Sequence, residues 1–88
     1  MSTVIEAVGF ASGRPCPHRG QYLRAFDFEA FAGVGYGDFT PDKRKALKFA
    51  DIAAAYAFWR TVSRTHPVRA DGQPNRPMTG LTVTFAEA

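Results

Sequence analysis

Two kinds of hydrophobic spacing alternate along this chain, and the changes between them mark out its elements. Thr3 to Phe10 contains Val4, Ile5 and Val8, which favour extended backbone, and predicts a first strand that stops at Ala11-Ser12-Gly13. Gln21 to Glu29 predicts a second strand in which Tyr22, Phe26 and Phe28 share one face by period two. On its other face Leu23 and Ala25 give way to Asp27 and Glu29, so that face runs from buried to wet. Between Phe31 and Phe39, Gly33, Gly35 and Gly37 break any pattern, and the stretch reads as a turn or bulged connection.

Thr40-Pro41-Asp42 has the chemistry of a helix start: threonine as N-cap, proline at the first helical position, an acid in the first turn. Two continuations compete. One helix runs from Pro41 to about Arg64, or a single turn at 41–45 leads into a short strand around Ala46–Phe49 and a new helix starts with Asp51 as N-cap. The second is preferred, because helices beyond 20 residues are uncommon in small domains. In the later helix Ile52, Ala55, Tyr56, Trp59 and Val62 recur at spacings of three and four, Phe58 widens the same arc, and His66-Pro67 closes it. Leu81, Val83 and Phe85 alternate with Thr82, Thr84 and Ala86 in a half-buried last strand. The expected fold is α+β: an antiparallel sheet of three or four strands with one principal amphipathic helix packed on one face, residues 1–88 forming a single domain.

Composition supports a packed core. Eight Phe, three Tyr and one Trp stand among 45% hydrophobic residues, far from the profile of a disordered chain. Cys16 is the only cysteine, so no internal disulfide forms. The longest apolar stretch, Ile52 to Trp59, is too short to span a bilayer, and no basic segment precedes an apolar run at the start. The expected location is cytoplasmic. The formal charge of +3 is uneven, with seven basic residues against Asp51 alone between Lys43 and Arg69. That skew favours an anionic partner, or else a solvated surface rich in lysine and arginine.

No catalytic constellation emerges. Structural zinc wants four Cys or His ligands in paired spacings, whereas only Cys16, His18 and His66 are present, so neither metal nor cofactor is expected. A nucleophilic cysteine needs an oriented base within reach, and one Cys with a distant His is what chance supplies. Gly33-Val34-Gly35-Tyr36-Gly37 lacks the spacing and lysine of a phosphate loop. Nucleic-acid binding has more support: Lys43, Arg44, Lys45 and Lys48, with Arg60 and Arg64, suit a phosphate backbone, and Tyr22, Tyr36 or Phe39 suit base stacking. Against it, no helix-turn-helix, RRM or zinc-finger signature is present.

Two polar, proline-rich loops give the chain its individuality: Arg14-Pro15-Cys16-Pro17-His18-Arg19-Gly20 and Asp71-Gly72-Gln73-Pro74-Asn75-Arg76-Pro77. They hold four of the six prolines, and a loop stiffened in this way loses less entropy on docking to a partner. Cys16-Pro17-His18-Arg19-Gly20-Gln21-Tyr22-Leu23, then Ala46-Leu47-Lys48-Phe49-Ala50-Asp51 with Trp59-Arg60, then the second loop, resemble a family of small uncharacterised proteins from proteobacterial prophages and other mobile elements, from about Cys16 to Phe85. The resemblance covers most of the chain and carries no assigned chemistry. It implies stoichiometric binding to a host factor, as in anti-CRISPR proteins that inhibit type I effector complexes, which are similar in size and in lacking catalytic motifs. The basic charge argues against DNA mimicry. The partner-binding residues expected on this reading are Arg14, Arg19, Lys43, Arg44, Arg60, Arg64 and Arg76, since arginine above all supplies rigid multidentate donors at interfaces. The alternative is a phage nucleic-acid-binding accessory protein or regulator.

Overall fold

In the computed structural model, which describes residues 2–88, strands β1 (Thr3–Phe10), β2 (Tyr22–Asp27), β3 (Tyr36–Thr40) and β4 (Leu81–Glu87) form one antiparallel sheet. Their order is β3-β2-β1-β4, so the first and last strands of the chain are neighbours. One helix, Ile52–Trp59, packs on one face. Ile5, Leu23, Ala55 and Met78 are buried at the centre. Around them lie Phe26, Phe28, Phe39, Phe49, Phe58, Trp59, Val83 and Phe85. Phe26, Phe28, Phe58 and Phe49 follow one another at ring separations of 4.8, 5.3 and 5.1 Å, tilted or edge-on. Each such pair contributes about 0.5–1.5 kcal/mol beyond the area it buries.

Strict period two in β2 would put Leu23 on the face opposite Phe26 and Phe28. The register against β3 shifts between Leu23 and Ala25, and this irregularity reverses the parity, so all three pack on the core. β3 itself falls in the glycine-rich stretch that the sequence reads as a turn. Gly37 is needed there for space, since a Cβ would lie 2.6 Å from the Phe39 ring.

Of the two continuations after Pro41 the second is the nearer, with a separate turn and a new helix. The expected strand around Ala46–Phe49, however, is only an isolated bridge at Phe49, and the turn is capped by Asp42, not Thr40. Asp42 caps a short 3-10 turn, Lys43–Lys45, by accepting from Arg44 N–H. The chain then enters the gap between β1 and β2, which pair directly only around Glu6 and Tyr22. Leu47 N–H donates to Leu23 on β2 (2.9 Å), and Phe49 exchanges two 2.8 Å bonds with Thr3 on β1. Asp51 then caps the helix through Ala54 N–H, 2.8 Å.

The helix is shorter than its hydrophobic spacing predicts. In a continuing helix Arg64 N–H would donate to Arg60 C=O. Instead Glu29 accepts the Arg64 N–H at 2.8 Å, and the Arg76 guanidinium takes the Arg60 carbonyl. The α-helical ladder closes with Arg60 N–H on Tyr56 C=O, and Thr61 N–H turns to Phe58 C=O. Both halves of the later 60–64 bond are claimed by distant side chains, before His66-Pro67. Nor does the sheet cover the whole apolar arc. Ala55, Phe58 and Trp59 face it, while Ile52 is 59% exposed and Tyr56 45%. Among the described residues no helix is long and apolar enough to cross a membrane.

Candidate functional site: an apolar cleft between the two proline loops

The two proline-rich loops meet at one place. His18 from the first and Pro77 from the second line a cleft of about 280 Å³, whose floor and walls include Phe10, Phe26 and Phe39. The His18 ring stacks on Phe39 at 4.6 Å and 18°. The remaining wall is the segment from Val34 to Gly37. Gly35 is required by contact: a Cβ would stand 2.7 Å from both the Phe26 ring and Pro77, at a φ of 93°.

The lip of the cleft has an unusual backbone. Phe31 (φ 53°), Ala32 (φ 56°) and Gly33 (φ 85°) are consecutive left-handed residues. For an L-residue that region costs roughly 1–2 kcal/mol each. The turn lifts apolar side chains into water instead of burying them: Phe31 and Val34 are each 71% exposed and Tyr36 60%. The Phe31 and Tyr36 rings lie 6.2 Å apart. A strained segment persists only where its surroundings over-determine it.

Two side chains do that here. The Glu29 carboxylate, immediately before the turn, accepts from Ser63 Oγ (2.5 Å), Thr65 Oγ1 (2.6 Å), Arg64 N–H (2.8 Å) and Thr65 N–H (3.0 Å). The Ser63 and Thr65 hydroxyls, then the two backbone donors, hold its pKa at about 2, below the ordinary 4.5. On the far side, Asn75 Nδ2 donates to Gly33 C=O (2.8 Å) and His66 C=O (2.9 Å). Asn75 backbone groups bond Ser63 and Pro67 as well. Gly33 lies so close beneath that a Cβ would meet His66 Cβ at 2.6 Å. Much of the second loop's polarity therefore serves the fold. Asp71 accepts from Gln73 N–H and from the Arg69 guanidinium, which lowers its pKa, and Arg76 donates to the Arg60 carbonyl at the helix C-cap.

The seven basic residues singled out by sequence do not form one patch. Arg14 and Arg19 line a recess that shares Phe10 with the cleft, and Arg64 lines another that shares Phe26 with it. These three guanidinium groups have no ion-pair partner among the described residues and fringe the cleft. Arg60 lies over the Tyr56 ring at 5.4 Å. Arg44 is forked onto Asp42 (3.2 Å to each carboxylate oxygen), which raises its own pKa and lowers that of Asp42. Lys43 Nζ donates to Glu87 C=O at 2.8 Å and stands over the Tyr22 ring. Sequence reasoning missed Phe31 and Val34, and offered Tyr36 only for base stacking. Their signal was present as apolar residues inside a glycine-rich segment, where no regular element could bury all of them. Comparison with protein-family models, curated proteins and solved structures found no match.

Proposed function

We propose that this chain acts by binding a protein partner without turnover, and that the partner seats on the cleft and its Phe31–Val34–Tyr36 lip. The observation that carries this reading is the left-handed turn, which spends conformational energy on holding an aromatic ring out in water. Exposed apolar groups beside a preformed pocket, fringed by arginines, have the anatomy of an interface centre with a polar rim. In the concrete form implied by the sequence resemblance, the chain is a cytoplasmic mobile-element protein. It blocks a host type I CRISPR effector complex by occluding a subunit. A phosphate backbone tracked by Lys43, Arg44 and Lys48 has less support, because Arg44 is paired and both lysines donate to backbone carbonyls.

The test is a tagged pull-down from a host lysate carrying a type I system, with and without nuclease, using wild type and a Phe31→Ser/Val34→Ser double variant. Recovery of an effector subunit that survives nuclease and falls at least about tenfold in the variant is the expected result. Undiminished recovery by a folded double variant would refute the cleft as the contact surface. Recovery of nucleic acid alone, with affinity falling steeply as salt rises, would replace the protein partner with a phosphate backbone.

A further inference from the structure

We infer that β4 is a self-complementary edge through which two copies of this chain pair into a continuous eight-stranded sheet. The starting point is the direction of each backbone group. Ala7 bonds Gln21 and Gly20, and Thr3 bonds Phe49, so both turn their N–H and C=O away from β4. Their ladder partners Val83 and Glu87 therefore turn theirs outward, and alternation places Leu81 and Phe85 with them.

Both ends of that outward row are closed from within the chain. The Trp59 indole N–H donates to Leu81 C=O (3.2 Å), and Leu81 N–H donates to Met78 C=O. At the other end Lys43 Nζ takes Glu87 C=O. Between them the N–H and C=O of Val83 and Phe85 have no partner among the described residues. An open window of this shape is a template for one more strand.

A second copy fits it. In an antiparallel pair centred on Thr84, Val83 of each chain lies opposite Phe85 of the other. Both residues are outward-turned, so each such pair exchanges two hydrogen bonds, four in all. Opposed residues share a face, which puts both helices on the same side of the joined sheet. Leu81 to Ala86 contains no charge and no proline, so self-pairing meets neither repulsion nor a missing donor. The antiparallel sense also brings Glu87 of each strand toward the copy's Leu81, near the helix end where Arg60 and Arg76 meet. The opposite edge lacks these properties. Self-pairing of β3 about its middle would set Asp38 against Asp38, and Pro41 follows directly at its end.

The apolar surface left over by the fold lies on the same flank. Tyr56 packs edge-on against Phe85 with ring centres 6.2 Å apart. Ile52 and Phe85 border a common recess of about 260 Å³. Ile52 and Tyr56 belong to the helix's apolar arc, and the sheet leaves both exposed beside Phe85 of β4. A copy docked along β4 covers them with its own Ile52 and Tyr56.

Sedimentation equilibrium and hydrogen exchange of the intact chain test this together. Wild type should sediment at twice 9.6 kDa, and the Val83 and Phe85 amides should become protected as concentration rises. Thr84→Lys and Ile52→Glu alter exposed side chains, so the fold should survive in both. Each should return the mass to 9.6 kDa and leave those two amides exchanging fast, with the Thr84 amide, bonded to β1, still protected. Wild type at 9.6 kDa at every concentration would overturn the inference. So would a doubled mass with Val83 and Phe85 unprotected, or a dimer indifferent to both folded variants. Protection of these amides only when a partner protein is added would assign the edge to that partner's strand and overturn self-pairing.

Discussion

Replacing Asn75 by alanine tests whether the second proline loop holds the strained lip in place. Asn75 Nδ2 donates to the carbonyls of Gly33 and His66, and its removal leaves both acceptors without that donor. At about 0.5–1.5 kcal/mol net per hydrogen bond, the loss should be roughly 1–3 kcal/mol. For a domain of this size 1 kcal/mol moves Tm by about 4–8 °C, so Asn75→Ala should melt roughly 5–20 °C below wild type. Asn75→Asp sharpens the test. It fills the same space but turns a carboxylate oxygen on two carbonyls, so at neutral pH it should be worse than alanine. Mild acid, by protonating that carboxyl, should narrow the gap between the two variants. Thermal melts followed by circular dichroism, with urea titrations to check that the m-value is unchanged, give the comparison. An Asn75→Ala melt within 1–2 °C of wild type, about the size of a neutral surface change, would refute the reasoning. So would an Asn75→Asp variant as stable as wild type, because the two hydrogen bonds could not then be holding the turn.

Other consequences are open to measurement. Gly33→Ala should destabilise by at least about 1–3 kcal/mol, because the residue is left-handed and its new Cβ strikes His66, and chemical denaturation reads this directly. The depressed pKa of Glu29 means the folded state holds the carboxylate more strongly than the unfolded chain does. Its stabilisation is complete above about pH 4.5 and is lost as pH falls toward about 2. Acid titrations should therefore show a fall in stability across that window that Glu29→Gln, already weaker at neutral pH, shows far less. Trp59→Ala should cost about 3–5 kcal/mol, through lost aromatic packing together with the freed Leu81 carbonyl, and a melt overlapping wild type would remove Trp59 from the core. Charge reversal of Arg14 and Arg19 should weaken partner capture in the pull-down while leaving Tm almost unchanged, since neither side chain is paired within the chain.

What the sequence made legible divides along the reach of its interactions. The β1 and β4 patterns and the Asp51 cap rest on neighbouring residues and appear as read, whereas the strand expected around 46–49 is reduced to a bridge held by Thr3 and a bond to Leu23. The helix is shorter than its spacing predicts. Just past its end Glu29 and Arg76, from 35 and 16 positions away, hold the Arg64 N–H and the Arg60 carbonyl that a longer helix would pair. Local spacing contains no trace of either. The face assignment in β2 failed at one register shift, which inverts every later position. Within the second proline loop, part of the charge serves the fold. Arg76 and Asp71 hold backbone, and the cleft is built from His18, Pro77 and aromatic residues contributed by three strands. A cleft assembled from such separated pieces is visible only once the register is known.

The segment wedged between β1 and β2 also bears on the order in which the chain assembles. β2 and β3 are consecutive, joined through residues 28–35, and can pair locally. β1, synthesised first, has only the contact around Glu6 and Tyr22 available early. Its lower half must wait for Phe49, and its other edge for β4, the last of the four strands in chain order. This inner strand is thus the last of the four to be enclosed, with Val4 and Ile5 unburied until β4 is in place. Such a nonlocal topology folds on the slower, millisecond-to-second scale of β-rich domains. Its exposed interval falls during synthesis, when an unpaired apolar strand is most open to aggregation or to capture by a chaperone.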